Sequence, residues 1–326
     1  VTGRRRPSAA RRVSITRRRG RSGGRRRAPD RRWAHLVLAL ACLAAAAVLL
    51  TSWPPSGPVA SADGRVAPVA SPYGQGGDAS WPNCGHPLDS TLVQKPAFAI
   101  VGVNNGTPGT RSACLARTLA WARTAVGGTD QPRVAYYVMV ADPWAAPELR
   151  HDRPDWPSSN TVRGHRVAVP KAYGGTCSGS HRSAACAYVF GWASAARSAA
   201  LPGVEVTTDT IFWLDVEEER DFSDDQRYNE ALVEGTAAYF LAPRASGGLG
   251  ARTGIYSNSY YWAVLIGTLR SGSPLAPLDE WYPIGRGTAA DAAAAFESLA
   301  PFVPGARIRI VQTVQGRADV DYAPAG

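Results

Sequence analysis

The sequence predicts an α/β protein in which strands and helices alternate over residues 76–326, preceded by one N-terminal transmembrane or signal helix. Three observations carry this. Short apolar runs bounded by turn residues recur along the chain, stretches with helical spacing lie between them, and one long uncharged apolar run follows an arginine-rich start. Alternation of this kind implies a parallel sheet, either closed as a (β/α) barrel or open and doubly wound. In both cases functional groups gather at the C-terminal ends of strands.

Charge divides the chain first. Residues 1–32 hold fourteen Arg and one acid, a balance of +13, so the net charge of +10 leaves −3 for everything after them. A uniformly basic folded surface for nucleic acid is therefore excluded, and no nucleic-acid partner is expected. The tail reads as the cytoplasmic side of a membrane protein.

Trp33 to Trp53 follows, and its inner run from Leu36 to Leu50 has no polar residue except Cys42. Twenty-one residues at ~1.5 Å each give roughly 31 Å of helix, enough for the hydrocarbon core of a bilayer. The expectation is a single-pass signal-anchor at 33–53 with the bulk of the chain outside. A cleavable signal peptide is the rival, because Ala60-Ser61-Ala62 is a small-x-small pattern and cleavage near Ala62 would release a secreted protein. Residues 54–75 carry five Pro and three Gly without apolar periodicity and read as a semi-rigid linker, the folded part starting near Gly76.

Strands are predicted at Phe98–Val103, Val134–Val140, Thr210–Val216, Thr253–Tyr256, Glu280–Ile284 and Ile308–Thr313. Helices are predicted at Ser112–Val126, Cys186–Leu201, Asp224–Ala242 and Ala289–Ala300.

Four cysteines lie beyond the apolar run, an even set suited to an oxidising compartment. Four cysteines allow three connectivities. The favoured one joins Cys84 to Cys114 and Cys177 to Cys186, with loop-closure stabilisation of about 3.7 and about 2.7 kcal/mol. Zinc fails on spacing, since there is no C-x-x-C and the five His are scattered. No metal and no cofactor is expected. Gly285-Arg286-Gly287-Thr288-Ala289-Ala290 spells a dinucleotide loop but lacks the acid at ribose distance, and Gly20-Arg21-Ser22-Gly23-Gly24 spells a nucleophile elbow inside the Arg tail, where it has no strand.

The segment with chemistry in it is Phe212-Trp213-Leu214-Asp215-Val216-Glu217, an apolar strand ending in two carboxyl groups two residues apart. Period-two geometry puts both on one face. Such a pair suits glycosidic bond cleavage, which needs a protonated acid for the leaving oxygen and a carboxylate for the developing cation. The bland alternative is a strand running into a solvated acidic loop, which accounts for Glu218 onward.

Gly77-Asp78-Ala79-Ser80-Trp81 and Leu214-Asp215-Val216-Glu217 resemble the opening Asp-x-Ser strand and the internal Asp-x-Glu strand of family 25 glycoside hydrolases, the muramidases of the Chalaropsis lysozyme type. Ile255-Tyr256-Ser257-Asn258-Ser259-Tyr260-Tyr261-Trp262, Val311-Gln312-Thr313 and Asp319-Val320-Asp321-Tyr322 are similar to later segments of that family, in the same order. Tyr173 to Ser180, with Ala184 to Tyr188 and Gly191-Trp192, resembles a group of exported actinobacterial proteins carrying a glycoside-hydrolase-like barrel. The resemblance implies a TIM-type barrel over 76–326. It also implies peptidoglycan or another glycan as partner, Glu217 as general acid, Asp215 as its partner carboxylate, and Asp78 and Asp321 as flanking acids. Tyr137, Tyr256, Trp281, Tyr282 and Gln312 are the expected sugar contacts. A non-catalytic barrel binding wall glycan or a protein partner is the alternative function.

Overall fold

The computed structural model describes residues 71–87 and 91–326. The predicted Arg tail, the span at 33–53, the Ala62 cleavage site and nearly all of the linker lie outside them. Among the described residues no helix is long and apolar enough to cross a membrane.

Eight strands close into a barrel. In chain order they are β1 (Tyr73–Ala79), β2 (Ala99–Gly102), β3 (Val134–Met139), β6 (Ile211–Asp215), β7 (Arg252–Tyr256), β8 (Asp279–Arg286), β9 (Ile308–Gln315) and β10 (Ala318–Pro324). This is also their order around the ring, with β10 returning to β1. A small hairpin, β4 (Thr161–Val162) with β5 (His165–Arg166), stands apart in the long β3-to-β6 connection.

Neighbours from β1 to β9 pair in parallel, whereas β10 runs antiparallel to both β9 and β1. The strict strand–helix alternation of the sequence reading therefore stops at β9. A two-residue turn, Gly316-Arg317, replaces the last helix and folds β10 back as a hairpin, and a connection that short can join only antiparallel strands. β1 begins at Tyr73, three residues before the expected start of the folded part.

The helices are α1 (Leu115–Ala122), α2 (Ala184–Ala199), α3 (Gln226–Leu241), α4 (Ser259–Leu265) and α5 (Ala289–Ser298). Four start on side-chain caps that satisfy the orphan amides of the first turn. Ser183 accepts from Cys186 N, Asp225 from Arg227 and Tyr228 N, Asn258 from Tyr261 N, and Thr288 from Asp291 N in a capping box.

Period-two alternation sorts the strand side chains into two cores. On β6, Ile211 and Trp213 point to the barrel axis, where they meet Phe98, Ile100, Trp281 and Ile310. Phe212, Leu214 and Val216 point outward under α2 and α3, and Phe212 stacks on Phe240 with ring centroids 4.2 Å apart. Each such fully buried side chain contributes about 2 kcal/mol. Helices α2 and α3 touch backbone to backbone, because a Cβ on Gly191 would strike the Leu232 carbonyl and one on Gly235 would strike that of Tyr188. Glycine is required at this crossing for space, not for conformation.

Both disulfides take the favoured pairing. Cys84–Cys114 ties the turn after β1 to the start of α1, and Cys177–Cys186 ties the preceding loop to the first turn of α2.

Candidate active site

The C-terminal ends of the parallel strands surround an open cavity of about 830 Å³. Because β10 is antiparallel, its N-terminal half reaches the same end. Asp78 comes from β1 and Ser80 from the position after it, Tyr137 from β3, Asp215 from β6 and Glu217 from just beyond it, Tyr256 from β7, Trp281 from β8, Gln312 from β9 and Asp319 from β10. Arg317, from the turn before β10, completes that wall.

The backbone around the acid pair explains its placement. Val216 extends β6 by one residue, donating its N–H to Tyr256 O at 3.0 Å and accepting Ser257 Oγ at 2.7 Å. Asp215 and Glu217 consequently share the inward face, while Val216 is buried outside. At Glu218 the chain turns sharply, with φ of 62°. That left-handed conformation is uncommon for a residue with a Cβ and concentrates at functional turns. The short turn Glu219–Asp221 follows.

Burial and mutual repulsion set the protonation of the acids. Burial first, then Glu218, Asp319 and Asp221, push Glu217 up to about 7. Asp215 is raised well above the usual carboxylate range by burial and then by Glu217, Asp221 and Glu218, and its Oδ1 is buried with no hydrogen-bond partner among the described residues. Asp78 is raised by burial, Asp319 and Asp321, but Gln312 Nε2 donates to its Oδ2 at 2.7 Å and opposes the rise. Gln312 is itself oriented, since its Oε1 accepts Tyr256 OH at 2.9 Å.

Asp321 lies beneath this layer with 0% exposure and accepts Trp281 Nε1 at 2.9 Å. Burial first, then Asp319, raise its carboxyl well above the usual range, and its Oδ2 is buried with no hydrogen-bond partner among the described residues. Asp78 thus lines the cavity while Asp321 lies below it.

The structure brings together most of the residues singled out from sequence. Glu217, Asp215, Asp78, Tyr137, Tyr256, Trp281 and Gln312 all line the cavity. Two do not. Asp321 is sealed under Asp78, and Tyr282 faces outward, its hydroxyl against Ser259 and its ring against Phe302. Trp281 and Tyr282 are consecutive on β8, so only one can face the axis. Sequence reading missed Asp319, a half-buried wall residue whose carboxyl is also raised by burial. Its signal was available in the Asp319-Val320-Asp321 alternation. Among the described residues, no group of three or more His, Cys, Asp or Glu could hold a metal ion.

No family model matches the chain, and no curated protein does. Among solved structures, it is similar to a family 25 glycosyl hydrolase from Bacillus anthracis, at 8% identity over 77% of this chain and 89% of that one, with a TM-score of 0.42. It is also similar to GHIP, a glycosyl hydrolase 25 of Streptococcus pneumoniae, at 17% identity over 78% and 87%, with a TM-score of 0.38. A third is the modular autolysin LytC of Streptococcus pneumoniae, solved with a synthetic peptidoglycan ligand, at 12% identity over 77% of this chain and 46% of that one, with a TM-score of 0.41. At such identities and scores, the fold and the chemistry have to be read from this chain's own strands and side chains.

Proposed function

We propose that this chain is a glycoside hydrolase cleaving glycan strands, with peptidoglycan as its substrate, outside the cytoplasmic membrane. The observation that carries the reading is Glu217, a carboxyl group held at the cavity wall with its proton retained to about pH 7. A group so poised is a competent proton donor at neutral and mildly acidic pH. Glu217 would protonate the glycosidic oxygen as the bond to the anomeric carbon breaks. The positive charge developing on the sugar would face Asp78, whose ionised form the Gln312 N–H favours, while Asp215 titrates with Glu217 as a pair. Water then adds to the anomeric carbon and gives its proton to the Glu217 carboxylate, which restores the acid and balances the reaction.

In this reading Asp321 is a positioning residue, acting through Trp281 without reaching the sugar. The extracytoplasmic setting is supported by the +13 tail before the apolar run and by the two disulfides, which need an oxidising compartment. The segment 33–53 would then tether the barrel to the membrane.

The test is release of reducing ends from peptidoglycan by the purified protein between pH 4 and 8, roughly the window in which such acids titrate. Release by wild type and its loss in Glu217→Gln support the reading. Folded wild-type protein that binds peptidoglycan and releases nothing overturns the hydrolase and leaves a glycan-binding barrel.

A further inference from the structure

We propose that the cavity between the loop after β3 and the segment entering α3 is a second binding site, separate from the active site, and that it takes the primary ammonium group of a small organic molecule. The inference stands apart from the hydrolase reading. The cavity has a volume of about 460 Å³ and shares no lining residue with the active-site cavity. Three segments form it: the loop after β3, the loop closed by the Cys177–Cys186 disulfide, and the entry to α3. It is also built against the loop that carries the proton donor, since Asp142 N–H donates to Asp221 O at 2.8 Å, in the turn that follows Glu217.

Asp142 is the group that calls for a ligand. It is only 4% exposed, yet it lines the cavity. Its Oδ1 accepts two donors, Tyr228 OH at 3.0 Å and the backbone N–H of Trp144 at 3.0 Å, and both bonds favour the ionised form. Its Oδ2 has no hydrogen-bond partner among the described residues. Unlike the unpartnered Oδ2 of Asp152, it is not sealed from solvent and opens on the cavity. Burial raises this carboxyl in spite of its two hydrogen bonds. A cation seated against Oδ2 would remove that cost.

The rest of the lining selects an organic cation. With His181 counted as neutral, three carboxyl groups, Asp142, Asp224 and Asp225, stand against one guanidinium, Arg182. The acids are not gathered as a metal-holding group. Trp144, Phe222 and Tyr228 instead give the cavity aromatic walls, which attract ammonium groups through the ring quadrupole. These walls are already fixed. The Trp144 ring has the His181 ring 4.8 Å away and the Arg153 guanidinium 4.6 Å away, and Tyr228 is held by Asp142 and stacked on Trp156. Pre-set walls bind without the entropy loss of ordering free side chains.

The experiment is ligand-observed NMR titration of the purified protein at neutral pH with two amines, n-butylamine and glycinamide, and with butyramide and butyrate as their uncharged and anionic counterparts. Binding of either amine, without butyramide or butyrate, supports the site, and the tighter of the two tells a side-chain amine from an amino terminus. Asp142→Asn keeps an oxygen for Tyr228 and Trp144 but turns an amide N–H to the cavity, and it should weaken amine binding at least about tenfold. Ala145→Leu fills the cavity with Asp142 intact and should abolish binding, which keeps the test open if Asp142→Asn does not fold. Glu217→Gln should leave amine affinity unchanged. Folded wild-type protein that binds no amine, butyramide bound as well as butylamine, or affinity unchanged by Asp142→Asn or, where that fails to fold, by Ala145→Leu overturns the site. Affinity lost in Glu217→Gln puts the amine in the active site and also overturns it. None of these outcomes reads reducing-end release, so the hydrolase stands or falls separately.

Discussion

Gln312 donates its side-chain N–H to Asp78 Oδ2 over 2.7 Å, joining β9 to β1. The bond supports a charge on Asp78 that burial, Asp319 and Asp321 oppose. In Gln312→Leu, Asp78 should hold its proton to higher pH. The acid limb of the pH–rate profile should then move upward, with turnover at neutral pH falling about tenfold. A profile that keeps its acid limb would remove Asp78 from the reaction.

Glu217→Gln removes the proton donor and keeps its shape. Turnover on glycan should fall at least ~10²-fold. Wild-type activity should decline as pH rises through about 7, where Glu217 loses its proton. Reducing-end assays across pH, with circular dichroism as a folding control, check both points.

The same carboxyl affects stability. Folding raises Glu217 from 4.5 to about 7, so the folded protein holds this proton more tightly than the unfolded chain. Its contribution is full below about pH 4.5 and is lost as pH rises through about 7, up to about 3 kcal/mol. Glu217→Gln lacks that loss and should exceed wild type in stability at pH 8 but not at pH 4. Urea midpoints at the two pH values decide this.

The two disulfides should respond differently to a dithiol. Cys177 and Cys186 are buried, whereas Cys84 and Cys114 are half-exposed, and thiol–disulfide exchange needs access to sulfur. Mild reduction followed by alkylation and peptide mass analysis should label Cys84 and Cys114 first. Earlier labelling of Cys177 would contradict the burial.

Gly235→Ala should destabilise the barrel by at least about 2 kcal/mol, because the new methyl meets the Tyr188 carbonyl with no flexible side chain to yield. An exposed Ala substitution in the same helix, Arg227→Ala, serves as the comparison in denaturant titration.

Much of the barrel was legible because β2, β3 and β6–β9 carry apolar runs between turn residues. β1 and β10 are different. Tyr73-Gly74-Gln75-Gly76-Gly77 has too little apolar surface to read as a strand, and β10 spends its inward positions on Asp319 and Asp321. Chemistry had replaced the hydrophobic signal there. α4 was missed because seven residues are too few to show a helical period. At the site, the Asp215 and Glu217 spacing revealed a shared face, but whether Asp321 touches the cavity or lies under it depends on the depth of β10 in the ring, which no local pattern encodes.

The hairpin that closes the ring also orders events in time. Tyr73 pairs with Pro324 and Gly76 with Asp321, so the first strand meets its second neighbour only when the last has emerged. Contacts this distant in sequence carry a large loop-closure cost and form slowly. A growing chain would hold an open, partly paired sheet until β10 docks. Docking brings Asp319 and Asp321 up to Asp78, so a nascent or truncated chain lacks the assembled acid cluster. The acid cluster is therefore assembled only once the barrel has closed.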